Sequence, residues 1–408
     1  MTRLALLRPL AVCVLLAGIS TATQAAAATA AATAAGRAGA AELRIGVVSL
    51  ADDPRYESRR LEQRYPGHPE GRPFDGMRVA AAESRLALEA AGLTLKLEAA
   101  EARDAEGAAQ TAAMLARQGI RYIVLDLPAD AVRAATRAVK PGEALLLNVS
   151  SDDDALRGQA CAPHLLHTLP SRRMQADALM QALAARKWRK ALLLTGSAPE
   201  DRAWQALYLQ AARRFGVAWA AQRDFRLSND PRERELANVR LLTGGPDHDV
   251  VVVADADGEF ARTVPYATQL PRPVAGANGL TAMAWHRGWE RHGGPQLNRR
   301  FLKAAGRPMS GHDWAGWVAV KAVVEAATRA PKAPFAEQAR SLVSGDVVVD
   351  GFKGPRLSFR PWDGQLRQPV FLAHPDGVAA VAPLDGFLHP RNNLDTLGAD
   401  APETACRR

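Results

Sequence analysis

The chain is poor in cysteine, with three in 408 residues, and it lacks every compact signature of a chemical site. There is no G-x-S-x-G elbow, no P-loop and no H-E-x-x-H. His286 and His292 lie six apart and His312 sits in another segment, so no histidines stand at zinc spacing. Gly244-Gly245 and Gly293-Gly294 each precede a proline and read as turns rather than phosphate cradles. No nucleophile with its base is visible, so an enzyme is not expected. Short tandem repeats are missing too. Lys and Arg outnumber Asp and Glu by 52 to 43, a net charge of +9. Yet the basic residues are scattered in pairs such as Arg59-Arg60, Arg172-Arg173 and Arg299-Arg300, with no long run and no interleaved aromatics. They read as solvated faces, and no nucleic-acid partner is expected.

A long apolar run is also missing. Residues 10–19 form the one apolar stretch near the N-terminus, and it is too short to span a bilayer. Arg3 and Arg8 precede it, and Thr23-Gln24-Ala25 follows as a small-x-small cleavage site. Residues 1–25 therefore read as a secretory signal peptide, a membrane anchor being the alternative. Cys13 is discounted as a lipidation site because Val12 precedes it and the apolar run continues past it. Residues 26–42 are an Ala-rich tether. Export leaves Cys161 and Cys406 in an oxidising compartment. Either they pair and pin the C-terminal tail, or Cys161 is buried and Cys406 is free on a loose tail.

What is present is a globular composition, 48% hydrophobic and 23% charged, in a chain too long for one ordinary core. From residue 43 the pattern alternates between strands and helices. Strands are predicted at 43–49, 93–99, 120–125 and 144–148, with helices at 76–92, 108–119 and 129–139 between them. The pattern restarts after Pro170. Helices are predicted at 171–188, 199–216, 233–244 and 258–269, and strands at 190–195, 217–225, 249–254 and 273–276. The fold class is α/β, two halves that each carry a parallel sheet flanked by helices. A long apolar-faced helix at 311–330 and β-hairpins beyond Pro334 close the chain. The 51–73 connection is unusually long for a compact domain, and such loops are often functional.

Ligands of open α/β sheets bind beyond the carboxyl ends of the strands. Those loops hold Asp52 and Asp53, then Asp126, then Ser150, Ser151, Asp152, Asp153 and Asp154, then Asp201, then Asp255. Acids before helices are ordinary caps, and Asp130, Glu200 and Asp257 need no other reason. Three consecutive aspartates exceed what one cap requires.

Several stretches carry a resemblance. The export signal, the two α/β lobes, the Ser-Ser loop after the fourth strand, the helix HDWAGWVAVKAVVEA and the segment GDVVVDGFKGPRLSFRPWDGQL resemble type I periplasmic solute-binding proteins of branched-chain amino-acid ABC transporters. More narrowly, LADDPRYE, CAPHLLHTLPSRRMQADAL, KWRKALLL and HPRNNLDTLG resemble the branch associated with PQQ-dependent alcohol dehydrogenase systems. The resemblance implies two lobes joined by a hinge of three crossovers near 165–170, 274–279 and 347–354. Lobe 1 would combine 43–165 with 278–348, lobe 2 would combine 166–277 with 349–385, and 386–408 would be a tail. It also implies a monomer in the periplasm that binds a small solute in the cleft and delivers it to an inner-membrane ABC permease. A non-transport sensor or accessory protein of the alcohol-oxidation system is the alternative.

The site departs from that family. Its fourth loop usually reads Ser-Ala-Thr and meets an amino-acid ligand, whereas Asp152 and Asp153 follow Ser150 and Ser151 here. Carboxylates aimed into a cleft favour cations. Asp52, Asp152 and Asp153 are candidate oxygen ligands for Ca²⁺ or a lanthanide, ions that PQQ alcohol dehydrogenases use. An organic cation is the other candidate, with Tyr56 or Trp285 as an aromatic wall.

Overall fold

The computed structural model describes residues 41–406 and 408. The expected signal peptide, Cys13 and nearly all of the tether lie outside them. β1 (Ala41–Leu50) is paired on both sides, so its middle reads as an unbroken apolar run. A short helix α1 (Ser58–Gln63) and a long α2 (Phe74–Ala90) lead to β2 (Leu93–Ala102). Helix α3 (Ala105–Arg117), β3 (Tyr122–Asp126), α4 (Ala129–Ala138), β4 (Leu145–Asn148) and β5 (Leu165–His167) complete a five-stranded parallel sheet of order β2-β1-β3-β4-β5.

The second sheet is built the same way from α5 (Arg172–Ala185), β6 (Lys190–Thr195), α6 (Pro199–Phe215), β7 (Ala218–Asp224), α7 (Val239–Thr243), β8 (Val250–Ala254), α8 (Val264–Ala267) and β9 (Val274–Gly276). Its order is β7-β6-β8-β9, again parallel. Two helices are shorter than predicted. The 233–244 stretch begins as a 3-10 turn through Ala237, and Pro265 confines the 258–269 helix to α8.

The chain then returns to the first lobe through β10 (Thr281–Met283), α9 (Gly294–Ala305), α10 (Gly311–Arg329) and α11 (Phe335–Val343). Trp314, Trp317 and Phe301 from these helices share a core with Ile45, Val47 and Met77. Contact between α2 and α10 is close enough to require glycine. A Cβ on Gly76 would lie 2.0 Å from the Asp313 carbonyl oxygen, and one on Gly316 would lie 2.6 Å from that of Pro73.

The closing segment departs from the expected partition. β11 (Val349–Asp350) pairs with β12 (Arg356–Leu357), while β13 (Val370–His374) and β14 (Gly377–Ala382) join β10 in an antiparallel sheet. Residues 349–385 do not belong to the second lobe alone. Val349, Leu357, Phe359 and Leu366 pack in the first core, and β13 divides by the two-residue period of a strand. Phe371 and Ala373 face the first core, Val370 and Leu372 the second. The chain passes between the lobes after β5, after β9 and around 358–368, where the Leu366 N–H donates to the His167 carbonyl. Cys161 and Cys406 are joined in a disulfide, so the alternative of a free Cys406 is set aside.

Candidate functional site

Parallel β-structure aims the carboxyl ends of β1, β3 and β4 at those of β6, β8 and β9 across a cleft. A cavity of about 450 Å³ lies between them. Arg55, Ser150, Asp152 and His312 line it from the first lobe, and Trp204, Tyr208, Asp255 and Gly276 line it from the second. The stretch from Pro66 to Pro69, part of the long 51–73 connection, forms a third wall. A second cavity of about 230 Å³ adjoins the same stretch, with His68, Asp152, Gln175 and His312 common to both.

The first-lobe wall is closed by the chain itself. Asp53 caps the 3-10 turn Pro54–Tyr56, accepting from the Arg55 N–H at 3.0 Å and from its guanidinium at 2.6 Å. Arg55 Nη1 also donates to the Ser150 carbonyl at 3.0 Å. The Tyr56 hydroxyl donates to Asp126 Oδ1 at 2.6 Å, and the Arg72 guanidinium lies 4.6 Å from the Tyr56 ring centre. Burial alone would raise the Asp53 carboxyl, but the Arg55 guanidinium outweighs it and holds the group below the usual range. Asp126 goes the other way: burial dominates over Arg55 and Tyr56 and pushes its carboxyl up. Asp53, Tyr56 and Asp126 are thus a polar plug with its own partners, and neither Tyr56 nor Asp126 lines the cavity.

The three consecutive aspartates separate. Asp152 Oδ1 accepts from Arg172 Nε at 3.0 Å and is the one of the three that lines the cavity. Asp153 caps the turn Asp154–Arg157 through the Ala155 N–H at 2.9 Å and faces Arg133 at 3.4 Å. Asp154 accepts from the Arg173 N–H at 3.0 Å, at the start of α5. Asp52 is exposed in a turn away from both cavities. The proposed metal set of Asp52, Asp152 and Asp153 is therefore not brought together. Among the described residues no group of three or more His, Cys, Asp or Glu is placed to hold a metal ion. The physical reason is that two of these carboxylates already face an arginine and the third points to solvent.

Other predicted residues also hold the structure. Ser150 is buried at the cavity wall, its hydroxyl 3.4 Å from the Leu127 carbonyl, and the Ser151 N–H donates to Asn148 Oδ1 at 2.9 Å. Asp201 accepts from the N–H groups of Ala198 and Ala256, at 3.0 and 2.7 Å, and so ties the loop after β6 to the loop after β8. Trp285 is a core residue and does not line the larger cavity. It stacks on Trp314 at 6.3 Å between ring centres, donates to Asn298 at 2.8 Å, and reaches only the smaller cavity.

Asp255 differs from the rest. It lies on the cavity, is 7% exposed, and Oδ2 accepts from the Ala261 N–H at 2.8 Å. Among the described residues no arginine or lysine pairs with it, and burial, reinforced by Asp201 and Asp257, pushes its carboxyl up. Trp204 and Tyr208 stand beside it on α6, four residues apart and so on one face, with ring centres 5.5 Å apart. The Thr281 hydroxyl and His312 Nδ1 are buried without a partner among the described residues, both on residues that line this cavity. Burial lowers His312 to about 3, with Arg55 adding to the effect. Sequence reading missed Trp204, Tyr208, Thr281, His68 and His312. The aromatic spacing just after the sixth strand was the one signal for the first two.

The chain matches no family model and no curated protein in sequence. In structure it is similar to a periplasmic binding protein from Burkholderia mallei, at 14% identity and a TM-score of 0.64 over 90% of this chain and 99% of that one. It is similar as well to an amino acid ABC transporter substrate-binding protein from Pseudomonas fluorescens Pf-5, at 12% identity and a TM-score of 0.68 over 91% and 100%. A third likeness, at 12% identity and a TM-score of 0.61 over 82% and 93%, is to an ABC transporter solute-binding protein from Rhodopseudomonas palustris BisB5 in complex with 3,4-dihydroxybenzoic acid. At such identities the likeness speaks for architecture: the chain has the two-lobed fold of type I periplasmic binding proteins.

Proposed function

We propose that the chain is the periplasmic solute-binding component of an ABC transporter, holding one small solute in the interlobe cleft for an inner-membrane permease. The fold and the cavity between two sets of strand ends support this reading. The observation that carries it furthest is Asp255, a buried carboxylate at the cavity with no basic partner among the described residues, beside Trp204 and Tyr208. A buried unpaired carboxylate is costly and is relieved by a ligand that brings a positive charge or donors. The solute is accordingly a small molecule with a protonated amine or a similar organic cation, which an aromatic face also favours. Ca²⁺ or a lanthanide suits the site less well, because Asp52, Asp152 and Asp153 do not converge and no other three carboxylates do among the described residues. Service to PQQ-dependent alcohol oxidation belongs to the same proposal and rests on the four sequence stretches named above.

Thermal unfolding against a panel of primary amines, branched-chain amino acids, aromatic acids, alcohols, aldehydes, Ca²⁺ and La³⁺ tests the reading. A solute present at a hundred times its dissociation constant adds about 2.7 kcal/mol to stability. A midpoint shift with an amine, cut to half or less in Asp255→Asn, is the expected outcome. No shift with any amine would overturn the ligand class, and no shift with any organic solute would overturn the transport reading.

A further inference from the structure

The C-terminal tail leaves the second lobe, crosses the hinge and ends on the first. On the second lobe, Asp177 Oδ2 accepts from the Gly398 N–H at 2.8 Å, and Arg214 donates to the Gly398 carbonyl at 3.0 Å. At the hinge, Asp395 is buried and accepts from both Arg360 and Arg367, at 2.9 and 2.8 Å. Arg360 also donates to the Leu394 and Leu397 carbonyls, at 2.9 and 2.7 Å. Both arginines come from the 358–368 passage between the lobes.

The end of the tail is held differently. Ala401, Pro402 and Glu403 are exposed, Glu403 still pairs with Arg173 at the start of α5, and the Thr404 hydroxyl is 3.5 Å from the Arg157 carbonyl, at the limit of a hydrogen bond. Arg408 donates to the Pro163 carbonyl at 2.8 Å. The strong tie to the first lobe is the Cys161–Cys406 disulfide, which spans a sequence separation of 245. Cys161 sits in the connection between β4 and β5, just before the first passage to the second lobe.

We infer that the tail is a brace across the hinge, anchored to the second lobe by hydrogen bonds at Gly398, to the hinge by the buried Asp395 ion pairs and to the first lobe by the disulfide, and that the disulfide sets how freely the lobes move relative to each other. This goes beyond solute binding and does not depend on it. Each lobe keeps its own sheet and core without the bond. Breaking it frees residues 404–406 from the disulfide tie to the first lobe, while Asp395, the Trp362 bond to Ala399 and the Arg173 pair with Glu403 keep the rest of the tail on the hinge and the second lobe. The three interlobe passages then bend without the cross-tie.

The test uses the folded, oxidised chain. Excess dithiothreitol supplies two electrons and two protons, giving two thiols and leaving the reagent as its cyclic disulfide. Hydrogen exchange and small-angle scattering are recorded before and after, and again on Cys406→Ser. We expect exchange in 404–406 and in the 358–368 passage to rise at least tenfold. Protection in 393–398 and in β1, β3, β6 and β8 should persist, and the radius of gyration should rise or its distribution broaden. Unchanged exchange in 358–368 with unchanged scattering would overturn the brace, as would loss of protection in either sheet, which would make the bond a staple of one lobe.

Discussion

Asp255 and His312 face one cavity and are both pushed toward their neutral forms, the acid by a raised and the imidazole by a lowered proton affinity. His312 acts on stability and Asp255 on the solute, and both effects weaken as pH falls. An unfolded His takes up a proton below about pH 6.5, whereas folded His312 resists until about 3. The unfolded state binds more protons in that window, so stability is full above it and falls as pH drops. Between pH 7 and 4.5 this single group should cost about 2–3 kcal/mol. Urea unfolding of His312→Gln should show that much less acid lability than the parent, and equal slopes would show that His312 is not held neutral. Asp255 acts on the solute. A cation binds its ionised form, so affinity should rise as pH increases through the carboxyl's raised range. Asp255→Asn should weaken an amine by about 10- to 100-fold, the range of a hydrogen bond to a charged group. It should leave the unfolding midpoint nearly unchanged, since an amide oxygen can still accept from Ala261. Calorimetric titration at pH 5 and 7 on both proteins reads both effects.

Among the elements, the α2–α10 contact is the most exacting, because two helices meet where neither has room for a Cβ. Gly76→Ala should cost about 1–3 kcal/mol or more, since the Asp313 carbonyl belongs to a helix that packs on the core and cannot retreat. Gly107→Ala, in the first turn of α3 with nothing nearer than 3.4 Å, should instead be neutral or gain about 0.5–1 kcal/mol. Midpoints from denaturant unfolding compare the two, and equal effects would refute the close-packing account. That contact was invisible in the sequence, where GMRVAAAES and GHDWAGWVA read simply as apolar-faced helices. Other elements were plain. IRYIVL and DVVVVA announce strands buried on both faces, and Gly216 ends α6 in the left-handed conformation, at φ 72°. The loops of the site were also legible, because parallel strands deliver their following loops to one edge. Which carboxylates in those loops stay free was not. Arg172 lies 20 residues from Asp152, and Arg133 lies 20 from Asp153. Spacing along the chain does not report such partners. The closing hairpin misled for a related reason: a strand that alternates between two cores carries no mark of which lobe owns it.

At the scale of the molecule, the 51–73 connection decides how the lobes meet over the cavity. It is rooted in the first lobe by the Asp53, Arg55, Tyr56 and Asp126 plug and reaches the second lobe at two points. Arg60 pairs with Asp257, but both side chains are well exposed, and such pairs contribute at most about 1 kcal/mol. Tyr65 is 8% exposed and packs over Gly258, where an added Cβ would fall 3.1 Å from the ring. Burying an aromatic side chain contributes about 1.5–3 kcal/mol, so the aromatic contact, not the ion pair, should hold the segment down. Tyr65→Ala should therefore release it, and Arg60→Gln should not. Trypsin reads the difference at Arg59 and Arg64, which lie just before Arg60 and Tyr65 and are exposed. Cleavage there should be roughly tenfold faster in Tyr65→Ala than in Arg60→Gln, since a loss of about 1.4 kcal/mol multiplies the open population by ten when opening is fast. The same substitution should shorten the residence time of any solute in the cleft, because Pro66 to Pro69 form its third wall. If the ion-pair variant is cut as fast as the tyrosine variant, the segment is held by charge, and salt rather than packing would control access to the cavity.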